Sequence, residues 1–454
     1  MKIHAATLCA ALAFSGCMSP RPDIPKAAAL TVPVDWRASR GFGDPVTREW
    51  WKSFDDPVLS RLVEVALAEN DDIAVAASRV LEARAEQAAV RALYLPKADF
   101  GSLGARERIV SPFGTPWEQT EGGYSLDVSY DADLFGRLKS ANAAARAALL
   151  ASAASRDAVK LAVAATVASG YINLRALDAQ LATERKTLLS RAGSLQIARR
   201  QANIGYTSML ELHQAEAEYN ATLQLVPAAE LAVTKQENAL SVLLGDSPHA
   251  ISRGSTLDAL NVPGIPEELP ADVLRHRPDI FAAEEQLVAA DRSLDSARAA
   301  FLPDLRLTAS AGRAFSTLAD PITVWSVGGS VLAPIFEGGR LHAQGDSASA
   351  RRDQAAFFYR KTALTAFQEV EDGMVAVRRA DQEVEALKSQ CDALAQTLRV
   401  ATDRYRAGYS PYLDQLDAQR GLLNAELSLI QVRAARLGAY VNLYRAMGGA
   451  WQLR

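Results

Sequence analysis

Cysteine and histidine are scarce in this 454-residue chain, at three and five residues. Cys9 and Cys17 lie close to the start, which leaves Cys391 without an intramolecular disulfide partner. At its heptad position Cys391 reads as a small buried hydrophobe. His4, His213, His249, His276 and His342 are scattered, and no Cys or His pair has metal-ligand spacing. No glycine-rich loop follows a strand to cradle phosphate. These absences remove metal sites, cofactors and the usual catalytic constellations from the expected inventory. A net charge of −4 offers nothing to nucleic acid. Glycine and proline are not enriched and no low-complexity tract appears. Beyond the first residues no run of about 20 apolar residues exists, so no transmembrane helix is expected.

The start of the chain reads as a secretory signal over 1–16. Lys2 supplies a charge, Ala5 to Phe14 a short apolar run, and Ser15-Gly16-Cys17 a small-residue ending. That ending resembles a bacterial lipobox, with Phe14 where such motifs usually carry Leu. It makes Cys17 the expected site of lipidation. Met18 follows, not Asp, so the usual inner-membrane retention signal is missing. Residues 17–55 read as a Pro-studded tether.

What the chain has in abundance is itself. Asp72-Ile73 answers to Asp279-Ile280 and Pro96 to Pro303, at an offset of 207 (279−72, 303−96). Gly136-Arg137 answers to Gly339-Arg340, Gly170 to Gly373, Gly205 to Gly408 and Gly245 to Gly448, all at 203 (339−136, 448−245). Two copies of one unit follow, over 56–259 and 260–454.

Each copy reads as helix, β-hairpin, very long helix, tight turn and returning helix. Asp55-Asp56-Pro57 starts a helix that is expected to run to about Leu93. Strands follow at about 98–131 and 304–334, the first of them near Ala98 to Ala105. Tyr124, Leu126, Val128 and Tyr130 alternate with Ser125, Asp127, Ser129 and Asp131, the period of a strand with one apolar face. Leu305, Leu307 and Ala309 alternate likewise, and Trp325, Val327 and Val331 mark a fourth strand. The long helices, expected over 137–203 and 340–407, would each measure roughly 100 Å at 1.5 Å per residue. Leu174, Leu181, Leu188 and Leu195 recur every seven residues. Val384, Leu387, Cys391, Leu394, Leu398, Ala401 and Tyr405 alternate by three and four, a coiled-coil seam. Gly205 and Gly408 suit left-handed turns, with Ser410 as N-cap and Pro411 in the first turn of the next helix. The returning helices are expected from Met209 to Leu244, kinked by Pro227, and from Tyr412 to Met447.

Four strands cannot close a barrel with a passable interior, and an open sheet in lipid leaves unpaired edges. If the strands enter a membrane, several chains must share one barrel. The fold class is then an α+β membrane protein: two structural repeats, four strands per chain contributed to a shared barrel, and long coiled-coil helices.

Trp50-Trp51-Lys52-Ser53-Phe54-Asp55-Asp56-Pro57, Arg275-His276-Arg277-Pro278-Asp279-Ile280, Pro334-Ile335-Phe336-Glu337-Gly338-Gly339-Arg340 and Tyr405-Arg406-Ala407-Gly408-Tyr409 look like the corresponding motifs of the TolC-like outer-membrane factors. The chain most resembles their multidrug-efflux lipoproteins, the OprM and NodT type, over nearly its whole length. The resemblance implies a homotrimer with a twelve-stranded outer-membrane barrel continued by a periplasmic helical barrel. It also implies a periplasmic adaptor and an inner-membrane transporter of the RND type as partners, with outer-membrane lipid around the strands. By match, Leu413 and Asp417 resemble the residues that constrict the periplasmic gate, with Asp414 beside them. Tyr405 and Arg406 resemble residues that bridge to neighbouring helices and hold the gate shut. Gly205 and Gly408 mark the helix turns that face the adaptor. A symmetric ring of carboxylates attracts cations and raises its own pKa. In the alternative, Asp417 pairs with Arg420 on a solvated helix face and gates nothing. The same duct could serve type I protein secretion. A lipid-anchored coiled-coil scaffold with no pore would not need the strict alternation from Tyr124 to Asp131.

Overall fold

A computed structural model describes residues 20–38, 46–110, 113–267, 269–317 and 319–452. The expected signal over 1–16 and the expected lipidation site Cys17 lie outside the described residues. The chain divides into two compact units, one holding 78–154 and 281–361 with the chain before Thr31, the other holding the remainder.

The sheet belongs to the first unit. Strands β1 (Lys97–Val110), β2 (Pro116–Ala132), β3 (Asp304–Ser316) and β4 (Ala319–Leu332) pair antiparallel in that order. Strand β1 runs five residues past the expected Ala105, through Arg106 to Val110, with its pairing to β2 unbroken. Polar side chains conceal those rungs in the sequence. Cross-strand partners share a face, so register tests the alternation directly. Phe100 faces Leu126, Leu126 faces Ala311, and Ala311 faces Trp325. Ala98, Val128, Ala309 and Val327 form the adjacent rung. The opposite face carries Asp127, Ser129, Asp131, Arg306, Thr308 and Ser310, with Arg306 paired to Asp131 at 2.8 Å. Over these rungs one face of all four strands is apolar; one rung further on, Ser102, Arg313 and Thr323 share that face with Tyr124. Gly122 has no side chain because the ring of Phe315, its partner on β3, fills that space.

The helices take their ends from side chains. Helix α1 (Pro57–Glu69) is capped by Asp56, whose Oδ1 accepts the Val58 and Leu59 N–H groups at 2.7 and 3.0 Å, with Pro57 in the first turn. Leu59, Val63 and Ala66 form its fully buried stripe. Burial of the Leu and Val contributes roughly 1.5–3 kcal/mol each. The single helix expected to Leu93 is two: α1 stops at Asn70, and α2 (Asp71–Ala92) begins there. Asn70 Oδ1 accepts the Asp72 and Ile73 N–H groups, while its Nδ2 donates to the Leu243 carbonyl at 2.9 Å. An N-cap inserted into the apolar pattern outweighs the pattern.

Helices α3 (Arg137–Asn203) and α8 (Arg340–Arg406) are 67 residues each, several times the usual length. Asp133 caps α3 by accepting the Leu138 and Lys139 N–H groups. Along the second seam from 385 to 400, the four half-buried positions are Leu387, Cys391, Leu394 and Leu398; the rest are exposed. The first returning helix breaks at Gln224 into α4 (Met209–Leu223) and α5 (Leu225–Leu243). Pro227 accounts for the break, because its ring clashes with the carbonyl of residue i−4, here Leu223. Short helices α6 (Pro270–His276) and α7 (Pro278–Ala299) precede the second hairpin, and α9 (Tyr412–Ala446) is the unbroken second return.

The repeat is visible in packing within the second unit. A Cβ on Gly170 would stand 3.0 Å from Leu240, and one on Gly373 would stand 3.2 Å from Leu443. Both partners are related by 203 (443−240). The same close approach of long helix and return has been made twice.

Candidate functional site

The ends of α3 and α8 and the starts of α4 and α9 gather the residues matched to a gate. Each long helix stops at a left-handed glycine, Gly205 at φ 74° and Gly408 at φ 78°. The first turn then uses Ser208, whose hydroxyl accepts the Glu211 N–H. The second departs from expectation. Pro411 is the N-cap of α9 and makes no side-chain cap, while the Ser410 hydroxyl is buried without a partner among the described residues. With proline at the cap, one of the orphan N–H groups is lost and the serine falls one residue too early.

Tyr405, near the end of α8, crosses to the first return. Its hydroxyl donates to Glu211 Oε2 at 3.2 Å, beside the Thr207 hydroxyl, which bonds the same oxygen. Its ring lies 5.4 Å from that of Tyr412 and packs on a buried cluster of Leu195, Ala198, Ala215 and Leu416. Burial, reinforced by the Glu211 carboxylate, pushes the Tyr405 phenol up to about 12. Arg406 is exposed and has no hydrogen bond or ion pair among the described residues. With Tyr405, Gly408 and Gln415 it lines a polar cavity of about 290 Å³.

Helix α9 has two faces. Tyr412, Gln415, Leu416 and Gln419 are buried, while Leu413, Asp414, Asp417 and Arg420 stand on the exposed side. Leu413, Asp417 and Arg420 follow the i, i+4, i+7 spacing, so they form one stripe. Asp417 is 64% exposed and lies 3.7 Å from Arg420 Nη1. The alternative pair thus exists, but Arg420 has a closer partner. Its Nε donates to Glu218 Oε1 of α4 at 2.7 Å. Glu218 in turn meets Arg191 of α3 at 2.6 Å. Sequence reasoning missed Glu211, Glu218 and Arg191. Glu218 and Arg420 lie 202 residues apart, and each reads as an ordinary polar helix residue.

The model for the outer membrane efflux protein family matches residues 62–246 and 269–449, one segment in each repeat. The chain belongs to the outer membrane efflux protein family. It is 34% identical to the toluene efflux pump outer membrane protein TtgC of Pseudomonas putida, over 88% of this chain and 85% of that one. The solvent efflux pump outer membrane protein SrpC of Pseudomonas putida is 33% identical over 100% of this chain and 99% of its own. The structure resembles the open state of the Neisseria gonorrhoeae MtrE outer membrane channel with a TM-score of 0.82 and 30% identity. That match covers 96% of this chain and 99% of MtrE. This efflux protein is therefore an outer-membrane channel component of an efflux system. None of its helices is long and apolar enough to cross a membrane among the described residues. The strands are the elements suited to lipid.

Proposed function

We propose that three copies of this chain form the exit duct of a tripartite efflux assembly that discharges small molecules. The register carries this reading: from Ala98 to Phe100 and across their partners on β2, β3 and β4 the four strands present a common apolar band, and the sheet ends at β1 and β4. In hydrocarbon each unpaired backbone group costs several kcal/mol. Pairing β4 of one copy with β1 of the next removes that cost, and three copies close a ring wide enough to pass solutes. The long helices of the same copies would line its periplasmic continuation. A periplasmic adaptor would meet the turns at Gly205 and Gly408, and an RND-type inner-membrane transporter would supply the energy. The efflux names of the relatives favour this over protein secretion. Lipid on Cys17 would assist attachment.

Leu413 and Asp417, with Asp414 beside them, would narrow the periplasmic mouth. Their exposure on one stripe supports the reading, since a threefold axis would turn that stripe into rings of leucine and carboxylate. The Tyr405–Glu211 bond would hold the turns together, and Arg406, unpaired among the described residues of its own copy, would reach a neighbour. Planar-bilayer recording tests the gate. Leu413→Ala should raise conductance and Asp417→Ala should weaken cation preference, with Asp381→Ala as a distant control. A wild-type selectivity in Asp417→Ala and an unchanged conductance in Leu413→Ala would place the constriction elsewhere.

A further inference from the structure

Behind the exposed stripe of α9 lies a buried ion cluster. Glu218 and Arg191 are 7% and 5% exposed. Arg191 Nη1 reaches Glu218 Oε2 at 2.6 Å and also donates to the Glu218 carbonyl at 3.0 Å and to Thr222 Oγ1 at 2.5 Å. The other carboxylate oxygen, Oε1, accepts both Nε and Nη2 of Arg420. The remaining nitrogen of that guanidinium, Nη1, faces Asp417. Four charges therefore alternate in sign, in the order Arg191, Glu218, Arg420, Asp417.

The two ends of this chain of charges differ in strength. A carboxylate withdrawn from water needs compensating cations, and Glu218 has two. Asp417 and Arg420 are 64% and 50% exposed, so water and salt screen their attraction. Glu218 thus fixes where the Arg420 fork points, and Asp417 receives only its outer nitrogen.

We propose that Glu218, acting through Arg420, sets the negative charge that Asp417 presents to permeating ions. The proposal rests on Asp417 lining the pore. Glu218 is a positioning residue here, and the signs follow from counting charges. The four groups sum to zero. Removing the Arg420 charge leaves each copy one unit more negative beside the stripe. Removing the Glu218 charge leaves each copy one unit more positive and frees Arg420 to pair with Asp417.

Reversal potentials of the full-length protein in planar bilayers under a KCl gradient test this. Arg420→Gln should raise the K⁺ over Cl⁻ permeability ratio by roughly twofold or more, because the added charge is repeated around the ring. Glu218→Gln should lower it. Arg420→Lys keeps the charge, and its ammonium stays drawn to the buried Glu218 carboxylate, so the ratio should stay near wild type, which a merely structural role for the Arg420 fork would not produce. Asp417→Asn separates the two ideas. If it leaves the ratio unchanged, Asp417 does not line the pore and both readings fall. If it lowers the ratio while Arg420→Gln leaves it at the wild-type value, the pore reading stands and the coupling to Glu218 is overturned. Arg420→Gln keeps the test decisive even if Glu218→Gln fails to fold around Arg191.

Discussion

Tyr171 and Asp56 are 115 residues apart in the chain, and their side chains meet at 3.0 Å in the interior. The phenol donates to Asp56 Oδ2, which also accepts the Ser255 N–H at 2.8 Å, while the phenol oxygen accepts the Gly254 N–H at 2.9 Å. Asp56 is 2% exposed and also caps α1. One carboxylate therefore ties the first helix, a long helix and the linker between the repeats.

Removing that phenol should be costly. Tyr171→Phe leaves the Gly254 N–H and one carboxylate lone pair without their partner, at about 1–3 kcal/mol. Gly254→Ala should cost more, because its Cβ would stand 2.4 Å from Asp56 Oδ1. Thermal unfolding in detergent, followed by circular dichroism, should give lower midpoints for both. A wild-type midpoint in Gly254→Ala would show that the linker moves freely.

Charge on the apolar face should block insertion. Val128→Asp places a carboxylate beside Ala98 and Ala309 at a cost on the order of 2–4 kcal/mol for a deeply placed charge. Ser129→Asp, on the opposite face, should be tolerated. The check is the amount of trimer extracted from outer membranes; equal yields of the two variants would contradict the assignment of faces.

Lipidation is testable without structure. Palmitate should label the wild type and not Cys17→Ala. Because the strands also hold the membrane, the unlabelled variant should still fractionate with outer membranes.

The latch proposed at Tyr405 predicts an alkaline response. Its phenol titrates near 10 when unperturbed and is pushed up to about 12 in the folded chain. The folded state thus holds the proton more tightly. The latch keeps its full strength below about 10 and weakens as pH rises from there through about 12. Conductance should rise over that window in the wild type. Tyr405→Phe, which cannot donate to Glu211, should conduct more at neutral pH and lose this component of the pH dependence. Superimposable pH curves for the two proteins would remove Tyr405 from the latch.

Much of this architecture was legible because its signals are local and doubled. The alternation from Tyr124 to Asp131 became a strand in the expected register of faces, and the glycines at 136, 205 and 408 stand where each long helix begins or ends. The misses share a cause as well. Asn70 sits in an apolar-periodic run, and its capping of the Asp72 and Ile73 N–H groups is fixed by a bond to the distant Leu243 carbonyl. The Ser410 cap failed because its neighbour Pro411 took that position. Glu218 and Arg191 could not be picked out, since burial of a charged pair depends on helices brought together from distant segments. The matched gate residues were visible as a motif; the ions behind them were not.

The unlike edges of the sheet have a genetic consequence. If β4 always joins β1 of the next copy, every chain must supply one sound donor edge and one sound acceptor edge. A chain with intact β4 but a spoiled β1 could enter a ring and leave it open. Expressed equally with the wild type and mixed at random, it would leave roughly one ring in eight free of faulty copies. Such alleles should be dominant, whereas chains that lose the whole sheet should be recessive, because they never join.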